Sequence, residues 1–276
     1  MNPLLLILFI LLLLLISLVL RLIYKKKNSV IIKNKIYNLE NDGITVIPKI
    51  LTTEQANTIR ELVEEGKSME AKQIILNSPS VKERIINIIG NDYDFHDYIF
   101  IIKKSQFHAC HRDYNGDFFN KTQAYPSYTL IIYLEDMEKC LDIIPESHKS
   151  AQANLINITD YTESVICSKG DALLFNANLI HSGSLNKRQS NPRIQMKISH
   201  KVDREETLGF FQQYNKVLNK ESNHPKWAKN LQKHISCVAP VFSQLTQKYD
   251  SNKYRGENNN MSNIISKLFY AKLDNI

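Results

Sequence analysis

Histidine and aspartate lie two positions apart after an apolar segment near the middle of the chain. The segment 98–102, Tyr-Ile-Phe-Ile-Ile, predicts a buried strand, and His111-Arg112-Asp113 follows it. Because side chains alternate along an extended strand, His111 and Asp113 would share one face. An imidazole and a carboxylate on one face, joined by a second histidine, are the ligands of the facial triad that binds Fe(II) in non-haem oxygenases.

A later segment supplies the second histidine and a cation. Residues 170–175, Gly-Asp-Ala-Leu-Leu-Phe, predict another strand, and His181 follows them. Arg193 lies twelve residues after His181. A planar guanidinium can bind a carboxylate through two parallel hydrogen bonds, so Arg193 is a candidate ligand for an organic acid.

Four segments together resemble the phytanoyl-CoA dioxygenase family of Fe(II)- and 2-oxoglutarate-dependent oxygenases, over roughly residues 38–200. They are Asn41 to Pro48 with the helix start Leu51 to Glu54, then His111 to Asp113, then Cys140 to Lys149, and finally Gly170 to Phe175 with His181 and Arg193. The resemblance implies a mainly β core with flanking helices, built as a double-stranded β-helix (jelly-roll, cupin-like). The iron would lie in the mouth of this barrel.

The same resemblance implies the roles of the site residues. His111, Asp113 and His181 would bind Fe(II) and serve as the catalytic residues, leaving open positions for 2-oxoglutarate and dioxygen. Arg193 would bind the distal carboxylate of 2-oxoglutarate. A hydroxyl group or second cation normally assists such an arginine. Thr129 is our prediction for this role, and Lys103 and Ser184 are alternatives.

Several alternatives accompany this assignment. Asp113 could be a turn residue near Asn115-Gly116 instead of a ligand, and His108 could lie beside the metal ligands or at the surface. His148 lies in the Pro-Glu-Ser-His-Lys turn, where we expect it to have a structural role or to line the site. His200 could replace His181, although the surroundings of His181 match the family better.

Two alternative functions also remain open, one enzymatic and one non-catalytic. The prolyl 4-hydroxylase type shares the H-x-D…H order and a similar Tyr-Leu-Glu-Asp strand end, but it usually has lysine where Arg193 stands. An oxygenase-like domain could also bind a ligand without turnover. Aspartate at position 113 leaves no vacant protein site for a halide, which favours hydroxylation over halogenation.

The amino-acid composition limits the class of protein and the kinds of partner to be expected. At 276 residues, with 43% hydrophobic and 23% charged residues, the chain suits a globular domain with extensions. Its net charge of +7 is scattered along the chain and forms no basic stripe, so no nucleic-acid partner is expected. The sequence does not predict the oligomeric state or the identity of the substrate.

The first residues are almost wholly apolar. Residues 3–20 carry no charge, and a basic cluster, Lys25-Lys26-Lys27, follows. This pattern predicts a membrane-spanning anchor through residues 3–23, a single-pass membrane protein with a cytosolic catalytic domain, and a small or lipid-like substrate. Three sequons keep a lumenal orientation open. The four cysteines show no metal-binding spacing.

Local signals divide the chain into an anchor (1–24), a linker (25–40), a dioxygenase domain (41–202) and a helical extension (203–276). Thr52 and Gln55 form a capping-box pattern that predicts a helix as far as Gly66. A second helix is predicted over residues 80–89. Short strands are expected at 44–48, 98–102, 128–134, 141–145, 165–167, 172–175 and 193–199.

Overall fold

The computed structural model describes residues 3–26, 30–104, 113, 124–150, 162–184, 186 and 190–204. The helices within these ranges are α1 (Pro3–Lys26), α2 (Leu39–Asp42), α3 (Thr53–Glu64), α4 (Ser68–Leu76) and α5 (Pro79–Ile89). The strands are β1 (Ile44–Ile47), β2 (Tyr93–Lys104), β3 (Tyr128–Tyr133), β4 (Leu141–Ile143), β5 (Glu163–Val165), β6 (Ala172–Asn176), β7 (His181–Gly183) and β8 (Ser190–His200).

The strands form two antiparallel sheets. The larger sheet has the order β1-β6-β3-β8-β2, and the smaller has the order β5-β4-β7. In the larger sheet Thr129 lies opposite Phe175 on one side and Lys197 on the other. In the smaller sheet Ile143 lies opposite His181. The prediction of a mainly β core with flanking helices is therefore confirmed.

Alternation along β8 gives its two faces different surroundings. Ile194, Met196 and Ile198 belong to a core that also contains buried residues of α3, α4 and α5. Because side chains alternate along a strand, Arg193 and Lys197 project from the opposite face. That face carries the second core, which lies between the two sheets.

The second core contains apolar residues from both sheets. The larger sheet contributes Ile131, Tyr133, Leu173 and Phe175, and the smaller sheet contributes Leu141, Ile143 and Val165. Each fully buried side chain of this kind contributes about 1.5–3 kcal/mol to folding. The polar groups described below are therefore held in a packed, largely dry environment.

The helices follow from recognisable end signals, with one exception. The capping box is confirmed: the Thr52 side chain accepts a hydrogen bond from the Gln55 N–H, and the Gln55 side chain accepts one from the Thr52 N–H. Helix α5 is also close to its prediction. Helix α4 was not predicted, because its N-cap residue, Lys67, makes no side-chain capping hydrogen bond.

Two backbone positions adopt left-handed conformations that matter for packing. Gly170 has φ of 83°, and a Cβ atom there would lie 2.5 Å from the Leu51 carbonyl oxygen. Only glycine allows this close approach between the β6 turn and the start of α3. Glu146 has φ of 63° although it is not glycine.

The prediction of a membrane-spanning anchor, and with it a single-pass membrane location, is wrong. Among the described residues no helix combines the length and the apolar character needed to cross a membrane. Helix α1 contains the charged residues Arg21, Lys25 and Lys26.

Other predictions differ in detail or fall outside the described residues. Strand β5 begins two residues earlier than predicted, and β7 was not predicted. The helices predicted after residue 204, as well as His108 and His111, lie outside the described ranges. The domain boundaries remain predictions.

Candidate active site

Asp113 and His181 face each other between the sheets. The backbone N–H of Asp113 donates to the Ala177 carbonyl, 2.8 Å away, which fixes Asp113 at the end of β6. The Nε2 atom of His181, the first residue of β7, lies 3.8 Å from Oδ1 of Asp113. Both side chains are buried. Since His111 lies outside the described residues, no group of three metal-ligating side chains occurs among those described.

The surroundings of His181 determine which ring nitrogen carries the proton. Nδ1 lies 2.9 Å from the Leu179 carbonyl oxygen, which can only accept, so Nδ1–H is the donor. The neutral ring then has its lone pair on Nε2, the atom that faces Asp113. Phe175 packs against the ring with centroids 4.6 Å apart and limits its rotation.

This arrangement fits a metal cation. A cation bound between a carboxylate oxygen and an imidazole lone pair is attracted to both. Hydrogen bonding of the other ring nitrogen to a carbonyl is the usual way in which proteins orient a metal-binding histidine. The structure therefore brings together two of the three predicted metal ligands with suitable chemistry.

Arg193 and Tyr133 form a second polar pair on the same sheet. They lie directly opposite each other on β8 and β3, and directly opposed side chains project from one face. The guanidinium donates to the Asn191 carbonyl at 3.4 Å, and no carboxylate pairs with it among the described residues. Desolvation lowers the pKa of Arg193.

The Tyr133 hydroxyl completes this pair. The side chain is fully buried, and its hydroxyl has no hydrogen-bond partner within the described part of the chain. Burial raises the pKa of Tyr133 well above its ordinary value, so the hydroxyl stays a neutral donor. A partly buried guanidinium and a buried hydroxyl, neither with an acidic partner among the described residues, fit the distal carboxylate of 2-oxoglutarate.

Thr129 lies beside Asp113 and away from the Tyr133–Arg193 pair. Its hydroxyl donates to Oδ2 of Asp113, and the ammonium group of Lys197 contacts the same oxygen. Lys197 Nζ also donates to Thr129 Oγ1 at 2.6 Å. Of the alternatives to Thr129, Ser184 donates to Asp142 Oδ1 at 2.6 Å, and the side chain of Lys103 lies outside the described residues.

Sequence reasoning missed Lys197 and Tyr133. A signal for Lys197 was available, since it is four positions from Arg193 and alternation puts both on one strand face. Tyr133 has the same relationship to Thr129 on β3. Their partners depend on the register between β3 and β8, which the sequence does not reveal.

Two alternative histidines lie elsewhere. His148 Nε2 lies 2.9 Å from the Glu40 carbonyl oxygen, and its ring fills the space beside Gly43. The His200 ring stacks on that of Tyr125 with centroids 3.7 Å apart. Both contacts are consistent with structural roles.

Comparison with family models gives a match over the same part of the chain. A model described as phytanoyl-CoA dioxygenase (PhyH) matches residues 49–194, more than half of the chain. The chain belongs to the phytanoyl-CoA dioxygenase family. It is therefore an enzyme, a 2-oxoglutarate-dependent oxygenase whose cofactors are Fe(II), 2-oxoglutarate and dioxygen.

Solved structures with a similar fold include other 2-oxoglutarate-dependent proteins. The epimerase SnoN from nogalamycin biosynthesis is 14% identical, with a TM-score of 0.47 over 67% of this chain and 83% of SnoN. HygX from Streptomyces hygroscopicus, solved with nickel and 2-oxoglutarate bound, is 14% identical, with a TM-score of 0.46 over 62% of this chain and 87% of HygX. These similarities are too low to transfer an activity. No individually curated protein matches this dioxygenase-family chain.

Proposed function

We propose that this member of the phytanoyl-CoA dioxygenase family hydroxylates a small-molecule substrate, with Fe(II) bound by His111, Asp113 and His181. The observation that carries the proposal is the pair formed by Asp113 Oδ1 and His181 Nε2, 3.8 Å apart. The Leu179 carbonyl fixes the tautomer of His181 so that Nε2 carries the lone pair. His111, from the same H-x-D motif as Asp113, would supply the third ligand.

Arg193 and Tyr133 would orient the co-substrate. The guanidinium can bind the distal carboxylate of 2-oxoglutarate bidentately, and the Tyr133 hydroxyl can donate a further hydrogen bond to it. This proposal gives Thr129 a different role from the predicted one. Its hydroxyl, donated to Asp113, would help to orient the metal-binding carboxylate.

The positions of these residues indicate what the protein and the bound Fe(II) would each contribute to the reaction. Bound Fe(II) supplies the chemistry by which dioxygen oxidatively decarboxylates 2-oxoglutarate and hydroxylates a substrate C–H bond. The chain supplies geometry: Asp113 and His181 hold the metal, and Arg193 holds the far end of the co-substrate. Burial of the Asp113 and His181 side chains excludes water, which strengthens their electrostatic interactions.

We also infer that the two sheets form a double-stranded β-helix. Strands β3 to β8 are divided between the sheets so that β3, β6 and β8 belong to the larger and β4, β5 and β7 to the smaller. The second apolar core fills the space between them. This alternation supports a jelly-roll in which the candidate ligands lie between the sheets.

The positions of Arg193 and Lys197 help to distinguish this proposal from the prolyl 4-hydroxylase alternative. That type would use a lysine on β8 for the co-substrate, and β8 does contain a buried lysine, Lys197. However, Lys197 contacts Asp113 and Thr129, whereas Arg193 lies opposite Tyr133. Arg193 is therefore the better candidate for the carboxylate. A lipid-like substrate was suggested only by the membrane anchor, and it loses that support.

The test is conversion of 2-oxoglutarate to succinate by the full chain with Fe(II), ascorbate and dioxygen. Wild-type protein should form succinate slowly even without its primary substrate. The variants His111→Ala, Asp113→Ala and His181→Ala should each lose nearly all of this turnover. Tyr128→Phe, on the opposite face of β3 from Thr129, is a matched control that should retain it.

Two outcomes would contradict the proposal. Turnover that persists in His111→Ala and Asp113→Ala would show that the metal ligands are assigned wrongly. A folded protein that binds Fe(II) and 2-oxoglutarate but forms no succinate with any primary substrate would favour the binding-module alternative.

A further inference from the structure

Lys197, Asp113 and Thr129 form a closed triangle of buried polar groups. Lys197 Nζ and the Thr129 hydroxyl both contact Oδ2 of Asp113, and they are joined to each other by a 2.6 Å hydrogen bond. The three residues are 4%, 7% and 0% exposed, in the order Lys197, Asp113, Thr129. Lysine is almost never this deeply buried unless it is paired.

The two oxygens of Asp113 have different environments. Oδ2 receives the ammonium group of Lys197 and the hydroxyl of Thr129, whereas Oδ1 is the oxygen that faces His181 Nε2. Contacts on one oxygen fix the rotation of the carboxylate about its terminal torsion. The other oxygen is therefore presented in one direction, toward the second candidate ligand.

The positive charge of Lys197 also offsets the cost of burying the Asp113 carboxylate. An isolated carboxylate is strongly disfavoured in a buried, low-dielectric position, and a cation in direct contact offsets this penalty. Neighbouring residues on the same face of the larger sheet as Lys197, Ile131 and Phe175, belong to the second apolar core. Packing alone would favour an apolar residue at position 197, so the charge of Lys197 needs an electrostatic explanation.

We propose that Lys197 is an internal counter-cation of Asp113 that prepares the metal site before any metal binds. It compensates the carboxylate charge in the metal-free protein and leaves Oδ1 directed toward His181. The inference rests on the proposed function in one respect, the assignment of Asp113 as a metal ligand. A site prepared in this way would couple metal binding only weakly to folding, unlike sites whose ligands repel each other until metal arrives.

The test is a double-mutant cycle on the metal-free full chain, followed by thermal unfolding. Lys197→Met keeps the length of the side chain and removes its charge, which leaves Asp113 without its counter-cation. Its Tm should fall by on the order of 10 °C. Asp113→Asn/Lys197→Met removes both charges and should recover most of that loss. Lys33→Met, at an exposed position, is the matched control and should leave Tm unchanged.

Addition of Mn(II), as a redox-stable probe, gives a readout that a purely structural lysine would not affect. The Tm of Lys197→Met should rise more than that of wild type, because the metal supplies the cation that the variant lacks. If the single variant does not fold without metal, folding of the double variant supports the proposal, and its failure to fold contradicts it.

Two results would overturn the inference. One is a metal-free Lys197→Met protein as stable as wild type, and the other is a double variant as unstable as the single. A Mn(II) shift absent from both wild type and Lys197→Met would instead contradict the proposed metal site. The metal-free cycle still decides the role of Lys197 in that case, so the two failures are distinguishable.

Discussion

Tyr133 and Arg193 lie directly opposite each other on strands β3 and β8, and together they present a neutral donor and a cation to the space between the sheets. Neither has an acidic partner among the described residues. Four positions along the same two strands, Thr129 and Lys197 form the corresponding pair beside Asp113. One pair suits the co-substrate carboxylate, and the other contacts the proposed metal ligand Asp113.

The Tyr133 hydroxyl should contribute directly to 2-oxoglutarate binding. We expect Tyr133→Phe to bind 2-oxoglutarate about 10- to 100-fold more weakly, the usual effect of removing one hydrogen bond to a charged group. Anaerobic calorimetry with Mn(II) in place of Fe(II) measures this. Tyr128→Phe removes a hydroxyl from the other face of β3 and should leave the affinity unchanged, and equal affinities of the two variants would contradict the assignment.

Arg193 should contribute to binding at the expense of stability. Desolvation lowers its pKa, which means that the folded state holds the charged form less favourably than the unfolded chain does. Arg193→Met should therefore keep or raise the Tm of the ligand-free protein. The same variant should lose 2-oxoglutarate binding by more than about 100-fold. A clear fall in Tm would indicate that the guanidinium has a structural partner instead.

The sequence predicted the parts of this site that depend on local pattern. The resemblance selected Asp113, His181 and Arg193, whereas the expectation that His111 and Asp113 share one strand face stays a prediction because His111 lies outside the described residues. The capping box at Thr52 also depends on adjacent residues alone, and it is present. Lys197 and Tyr133 were missed because their roles come from the register of β3 against β8 and from burial, and both are properties of the folded chain.

The wrong prediction of a membrane anchor and the failure to predict helix α4 also came from reliance on local sequence signals. The uncharged residues 3–20 and the basic cluster after them suggested a membrane anchor, although no helix among the described residues is long and apolar enough to cross a membrane. Helix α4 was missed because Lys67 provides no capping side chain. Burial of Ala71 and Ile75 against the other helices stabilises α4 in place of a cap.

Gly170 should be far less tolerant of substitution than Gly66. Both have positive φ, 83° and 80°, so alanine is strained at either position by about 1 kcal/mol. A Cβ atom at Gly170 would also lie 2.5 Å from the Leu51 carbonyl oxygen, whereas at Gly66 nothing lies within 4 Å. We expect Gly170→Ala to lower the free energy of unfolding by about 3 kcal/mol or more, and Gly66→Ala by about 1. Urea unfolding of both variants decides this, and equal losses would contradict it.

Alkaline pH should destabilise the protein partly through Tyr133. Burial raises the pKa of its phenol well above the ordinary value of about 10. Above about pH 10 the unfolded chain loses this proton while the folded chain keeps it, so the free energy of unfolding falls as pH rises. This phenol contributes a slope of up to about 1.4 kcal/mol per pH unit.

The Tyr133→Phe variant isolates that contribution. Its free energy of unfolding, measured with urea at several pH values above about 9, should fall less steeply than that of wild type. Burial also raises the pKa values of Tyr93 and Tyr128, but these residues are present in both proteins and their effects cancel in the difference. Parallel slopes for the two proteins would mean that the Tyr133 phenol ionises equally easily in both states.

The most direct measurement of the central claim is an anaerobic titration of the full chain with Fe(II) and then 2-oxoglutarate. It follows the weak visible charge-transfer band of the metal–2-oxo acid chelate. We predict a band in wild type that is lost in both His181→Ala and Asp113→Ala, and kept in Tyr128→Phe. A band of undiminished intensity in His181→Ala would contradict the account, because the metal would then lie away from the pair formed by Asp113 and His181.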